Sequence, residues 1–279
     1  MSRAAVAAPL AGRLRARLVR LLPDRALFLA RRLLAMTRTR EPELDLVSLL
    51  ARPERGFLDV GAHKGVYLQE GVGADWRAVL GIEPHPGLAA YLRRCFGDRA
   101  EIRSLALSDR KGSLPLYLPR AEGREMVARA SLDAAANQGF TQEAVTVPVD
   151  RLDDLDGLPP LGLVKIDVEG HEEAALRGGE ALLRRDRPVL LVEIEERHHA
   201  GSSDRIIAWL EGLGYETFYL DRPRHLAALA GRSVAALQAS TGWTERPGQA
   251  KPDDYVNNFI FVHREDAHAR ERLRGAGYL

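Results

Sequence analysis

The chain has 279 residues, 46% of them hydrophobic, which is enough apolar material to bury one large core. Its single cysteine, Cys95, excludes an intrachain disulfide and a cysteine-rich zinc cluster. No apolar run approaches the ~18 residues of a membrane-spanning helix, and the opening "MSRAAVAAPLAG" is too weakly apolar for a secretory signal, so a cytoplasmic location is expected.

The net charge of +1 conceals an asymmetry. Residues 1–40 carry ten arginines against one acid, Asp24, which makes the head +9 and leaves −8 for the rest. Within the head, Leu14, Leu18, Leu21 and Leu22 form a helical apolar stripe, with Arg13, Arg17 and Arg20 on another face. Pro23 and Asp24 break that helix and cap a second one, "RALFLARRLLAM". Three roles are open to such a head. Its helices could pack on the main domain with the arginines solvated, or contact an anionic membrane surface or a lipid-linked substrate. Nucleic acid is the third partner, but interleaved aromatics and a binding motif are both missing. The expected division is an arginine-rich helical extension over residues 1–50 and a single domain over 51–279.

From Gly56 onward, short runs rich in Val, Ile and Leu alternate with helical patterns. "GFLDV", "AVLGIEP", "EIRSLAL", "GLVKIDV" and "PVLLVEI" read as strands buried on both faces. "GLAAYLRRCFG" and "HEEAALRGGEALLRR" read as the helices between them. The alternation predicts an α/β fold with a doubly wound, Rossmann-like parallel sheet. Residues 111–150 interrupt the rhythm: "GSLPLYLP" and "AVTVPVDRL" read as inserted strands. The long connection from Ala121 to Thr141 between them is expected to act as a lid over an acceptor, through Ser131 or Asn137. Near the end, "YETFYL" and "NNFIFVH" are expected to pair antiparallel. Trp76, Trp209 and Trp243 read as packing residues, and His198 and His199 as exposed.

In such sheets ligands sit at the carboxyl ends of the strands. The first strand runs into Asp59-Val60-Gly61-Ala62-His63-Lys64-Gly65. Here Gly61 permits a tight turn and close approach, and Gly65 lets the next helix start near the sheet. The spacing is G-x-x-x-G, without the middle glycine that a pyrophosphate requires. By itself it is equally a packing turn. About twenty residues on, Glu83 ends the second strand, where an acid can accept both hydroxyls of a ribose. Together they favour a nucleoside without a pyrophosphate and with a positive group near the acids, a description that S-adenosylmethionine fits. Asp167, Glu169 and His171 crowd the end of the fourth strand, and Glu193 and Glu195 share one face at the end of the fifth.

"FLDVGAHKG", "IEPHP", "ALSDRKG", "VPVDRLDDL", "VKIDVEGHE", "VLLVEIEE" and "NNFIFVH" together resemble the FkbM family of S-adenosylmethionine-dependent methyltransferases, from about Gly56 to His263. The resemblance implies a class I methyltransferase sheet of seven strands with the last antiparallel. It also implies O-methylation of a hydroxyl on a sugar, glycan or polyketide-like metabolite. By resemblance, Asp59, Gly61, Ala62 and Gly65 would meet the methionine part of the cofactor and Glu83 its ribose. Ala106, Leu107 and Ser108 would border the adenine.

An alcohol is a poor nucleophile near neutral pH, so a base, or a metal that lowers its pKa, is expected. The candidate catalytic residues are Asp167, Glu169, His171 and Glu193. His171 has a suitable unperturbed pKa of about 6.5, and Asp167 could instead orient the methionine amino group. The carboxylates could also hold a divalent metal, and the choice between base and metal stays open. Two alternatives compete with a methyltransferase: a nicotinamide-dependent oxidoreductase, disfavoured by the missing glycine, and a non-catalytic cofactor-binding module.

Overall fold

A computed structural model of the chain describes residues 41–121, 124–126, 129–137, 139–239 and 255–279, together with Ala26, Thr241 and Pro252. Apart from Ala26, the two head helices lie outside the described residues, as does Trp243. The elements run α1 (Leu44–Leu49), β1 (Gly56–Val60), α2 (Val66–Gly71), β2 (Ala78–Ile82), α3 (Pro86–Phe96), β3 (Glu101–Arg103) and β4 (Ala106–Leu107). There follow β5 (Gly112–Ala121), β6 (Arg124–Glu125), β7 (Thr141–Asp150), β8 (Leu161–Ile166), α4 (Glu172–Arg177), α5 (Glu180–Asp186) and β9 (Val189–Glu193). The chain continues through α6 (Ser202–Gly212), β10 (Tyr215–Arg222), β11 (His225–Ala228), α7 (Val234–Ala239), β12 (Asn258–His263) and α8 (Ala267–Gly275).

The large sheet has the order β11-β10-β12-β9-β8-β1-β2-β3. The ladders β8–β1, β1–β2, β2–β3 and β8–β9 are parallel, whereas β12 runs antiparallel to both neighbours. This is the sheet that the resemblance implies, with the last strand antiparallel, and β11 is added as an eighth strand by a hairpin from β10. Because the central strands are covered on both faces, successive residues enter different cores. Phe57 joins Leu163, Leu191 and Ile260 under α1, α2, α3 and α8. Leu58 and Val60 join Val164, Leu190 and Phe259 under α4, α5, α6 and α7. The expected boundary at residue 50 cuts through material of the first core, since Leu44, Leu46, Val47 and Leu50 are all buried there.

The segment "EIRSLAL" is not one strand. Glu101–Arg103 forms the edge of the large sheet, and Ala106–Leu107 crosses into a second sheet of order β4-β7-β5-β6. The inserted strands pair antiparallel from Gly112↔Val149 to Arg120↔Thr141, over a small core of Ala106, Leu116, Leu118, Val147 and Val149. "HEEAALRGGEALLRR" is likewise two helices. A Cβ at Gly178 would lie 1.9 Å from the Ser108 carbonyl oxygen, and one at Gly179 would lie 2.7 Å from Leu152. The glycine pair lets the chain pass this crowded point.

Candidate active site

Strand order reverses between β1 and β8, and the parallel strands end there in a cavity of about 270 Å³. This is the place a doubly wound sheet offers a ligand. Val60, Gly61 and His63 come to it from the end of β1, and Ile82, Glu83 and Pro84 from the end of β2. Asp167, Val168 and Glu169 come from β8 and Glu193 from β9, while Ala106, Leu107, Leu116, Ala130 and Leu132 roof it from the second sheet.

The turn after β1 packs helix on sheet and lines the cavity at once. Gly61 has φ 78°, and a Cβ there would lie 1.8 Å from the Asp167 carbonyl oxygen. Glycine is therefore required by the approach of β8. A Cβ at Gly65 would strike Phe96 and Leu92 of α3. The N–H groups of Gly61 and Ala62 both donate to the Ile82 carbonyl at 3.0 Å, which binds the turn to the end of β2. His63, also in left-handed backbone at φ 48°, donates its N–H to Glu83 Oε2 at 2.7 Å. His85 donates its N–H to Oε1 at 2.8 Å. Glu83 is thus held by both oxygens in the cavity wall. Burial outweighs these two bonds and pushes its carboxyl up to about 7. His63 has this backbone role, which a reading of side chains misses. In "IEPHP", His85 caps α3 by accepting from Leu88 N–H, with Pro86 at the first helical position.

Gly61, Glu83, Ala106, Leu107, Asp167, Glu169 and Glu193 line the cavity, and the other expected residues do not. Ala62 and Gly65 pack beneath the turn. Asp59 is 1% exposed, and neither of its carboxylate oxygens has a well-formed hydrogen bond. Burial pushes it up to about 6, against the pull of the Lys165 ammonium. Ser108 is fully buried, with its Oγ 2.9 Å from His171 Nε2. His171, bonded to Ser108, is not among the residues that line the cavity, and burial lowers its pKa.

The turn after β8 is tightly specified. Glu172 Oε1 accepts from Val168 N–H at 3.2 Å and from Gly170 N–H at 3.0 Å, and burial pushes its carboxyl up to about 7. Between those donors Glu169 takes φ 51°, an uncommon conformation of the kind that gathers at functional sites. Its carboxylate lies 3.4 Å from Arg197 and 3.5 Å from His198 Nε2. His198, expected at the surface, is half-buried with its side chain only 6% exposed, because the β9–α6 loop folds it against Gly170. His199 is the exposed member, 2.9 Å from Asp133. Glu193 accepts from Asn257 Nδ2 at 2.5 Å, and Glu195 pairs with Arg197. Among the described residues, no group of three or more His, Cys, Asp or Glu side chains is arranged to hold a metal ion. From the roof, Ser131 donates its Oγ to the Glu169 carbonyl at 2.6 Å. The Asn137 side chain lies outside what is described.

Residues 59–217 match the family model described as the methyltransferase FkbM domain. The 2-O-methyltransferase NoeI of Sinorhizobium fredii (strain NBRC 101917 / NGR234) is 29% identical over 157 residues, which cover 51% of this chain and 65% of that protein. Among solved structures, methyltransferase FkbM from Methylobacillus flagellatus KT is similar at a TM-score of 0.49 and 17% identity, over 79% of this chain and 47% of that one. Cofactor-bound Rv0187 from MTB is similar at 0.42 and 16%, over 93% and 100%. The chain thus spans less than two thirds of the first relatives it matches.

Proposed function

We propose, from the premise that this chain belongs to the FkbM methyltransferase family, that it transfers a methyl group from S-adenosylmethionine to a hydroxyl oxygen of a sugar, glycan or polyketide-like acceptor. The observation that carries the cofactor reading is Glu83. Its carboxylate is buried in the cavity wall with both oxygens steered by backbone N–H groups, an arrangement suited to a ribose diol. The remaining wall fits the same molecule. Ile82, Pro84, Ala106, Leu107 and Leu116 offer apolar contact to a purine, and the acids at the ends of β8 and β9 suit a cationic sulfonium and amine. The carboxylate of Asp59, without a well-formed hydrogen bond, is buried one residue before the lining residue Val60.

When bound, the cofactor supplies an electrophilic methyl group. The chain has to align the acceptor oxygen, exclude water and receive a proton. Leu116, Ala130 and Leu132 exclude water from above. Glu169 and Glu193 line the cavity and are the groups suited to take the hydroxyl proton. Hydroxyl oxygen as the acceptor is supported by the activity in the name of NoeI.

Isothermal titration with S-adenosylmethionine and S-adenosylhomocysteine tests the cofactor. Glu83→Ala should weaken binding by ~10-fold or more, roughly 1.4 kcal/mol. No binding of either ligand by folded wild-type protein overturns the reading. A panel of sugars and glycans, scored for transfer of a labelled methyl group, then tests the acceptor class. The arginine-rich head extends the proposal to a lipid-linked acceptor at an anionic membrane surface. Equal flotation with anionic liposomes with and without residues 1–40 would refute that extension.

A further inference from the structure

Lys165 is the one charged residue in a six-residue strand whose members are all buried. Across the parallel ladder its register partner is Asp59, so the two side chains leave the sheet on the same face. Its Nζ donates to Asp167 Oδ2 at 2.9 Å and lies 5.1 Å from the centre of the Tyr67 ring. Tyr67 is held in turn, its hydroxyl donating to Glu41 Oε2 at 2.7 Å. Asp59, Asp167, Glu193, Tyr67 and Glu41 are thus the titratable groups around this ammonium.

Of Lys165, Asp59 and Asp167, only Asp167 lines the cavity. Lys165 is 5% exposed and does not reach it. One ammonium shared by two carboxylates leaves the cavity wall anionic, the sign that favours a protonated amine. With the ammonium held between an aromatic face and a carboxylate, Asp167 stays in place before a ligand arrives. We propose that Lys165 is the positioning residue for the amino-acid end of the cofactor, holding the Asp167 carboxylate where the methionine ammonium docks while compensating Asp59 inside the sheet. The inference rests on the S-adenosylmethionine reading above.

The test compares S-adenosylmethionine with 5′-methylthioadenosine, which keeps the nucleoside and lacks the amino-acid end. By titration calorimetry, Lys165→Met should weaken S-adenosylmethionine ~10-fold or more and change 5′-methylthioadenosine less than about 2-fold. Lys165→Arg, which keeps the charge, should recover most of the loss. The variant Asp59→Asn/Lys165→Met removes the stranded carboxylate together with its counter-ion, and should show the same selective loss if Lys165→Met alone fails to fold. Equal loss for both ligands would make Lys165 a purely structural residue and overturn the proposal, as would no change for either. Wild-type protein that binds neither ligand would overturn the cofactor reading itself, and this inference with it.

Discussion

The end of the large sheet and the small sheet above it face the same cavity but are held in different ways. All five residues of β1 are buried, and the turn that follows is fastened to β2 and β8 by backbone bonds with no room for a Cβ at Gly61. In β7, by contrast, most of the ten residues are exposed or half-buried. The small sheet rests on five buried apolar residues and on ties such as Ser131 to the Glu169 carbonyl. One wall of the cavity is over-determined by packing, and the other is lightly held. The ribose of a nucleoside suits the first wall; the second, which also offers Ala106, Leu107 and Leu116 to a purine, suits a variable acceptor.

The largest expected effect tests whether that contrast lies in the backbone. Gly61→Ala combines a left-handed φ with a 1.8 Å collision against backbone, and should cost about 4 kcal/mol or more, or abolish soluble expression. Gly139→Ala, beside the roof, has φ 93° and nothing within 4 Å of the added Cβ. It should cost only the backbone strain of about 1–3 kcal/mol. Urea unfolding of the two variants measures the difference, and equal losses would break the comparison.

Acidity provides a second contrast, because among the described residues the carboxyls raised by burial all belong to the large-sheet body. Glu43, Glu83 and Glu172 are pushed up to about 7 from 4.5, and Asp59 to about 6 from 3.8. A group whose folded pKa is raised binds its proton more tightly in the native state. Its stabilisation is complete below the unfolded pKa and is lost as pH rises through the folded one. The melting temperature of the ligand-free protein should therefore fall between pH 5 and pH 8. Glu172→Gln keeps an oxygen for the Val168 and Gly170 N–H groups and should flatten that slope. A melting temperature that rises over this range would contradict the assignment.

The smallest effect belongs to the roof. Ser131→Ala removes the bond to the Glu169 carbonyl and the one that Ser131 Oγ accepts from Asp133 N–H. It should cost about 0.5–1.5 kcal/mol and speed proteolytic cleavage in the inserted segment. Affinity for S-adenosylmethionine should change less than about 2-fold.

Much of this site is legible in one dimension. A buried strand followed by G-x-x-x-G, an acid at the next strand end and "VKIDVEGHE" are each local, and Gly61, Glu83, Asp167, Glu169 and Glu193, which line the cavity, each end a strand or follow one. Lys165 also left a signal, as a lone charge inside an apolar run. His198 left none: in "ERHHAGSSD" two adjacent histidines look alike, and only the loop path buries the side chain of the first and exposes that of the second. His171 has the chemistry expected of a base, yet the orientation of the turn directs it to Ser108.

The sequence by itself determined the strands, the helices between them and the order in which ligand-bearing turns would meet at one sheet edge, because hydrophobic periodicity and glycine placement are properties of neighbouring residues. Tertiary structure alone decided which strand-end groups face the cavity and which become supports. It set His63 N–H on Glu83, shared Lys165 between Asp59 and Asp167, and divided "EIRSLAL" between two sheets. Apart from the local Lys165–Asp167 bond, those outcomes depend on contacts between residues twenty to more than a hundred positions apart, and a side chain's partner across such a distance is settled by the packing of whole elements.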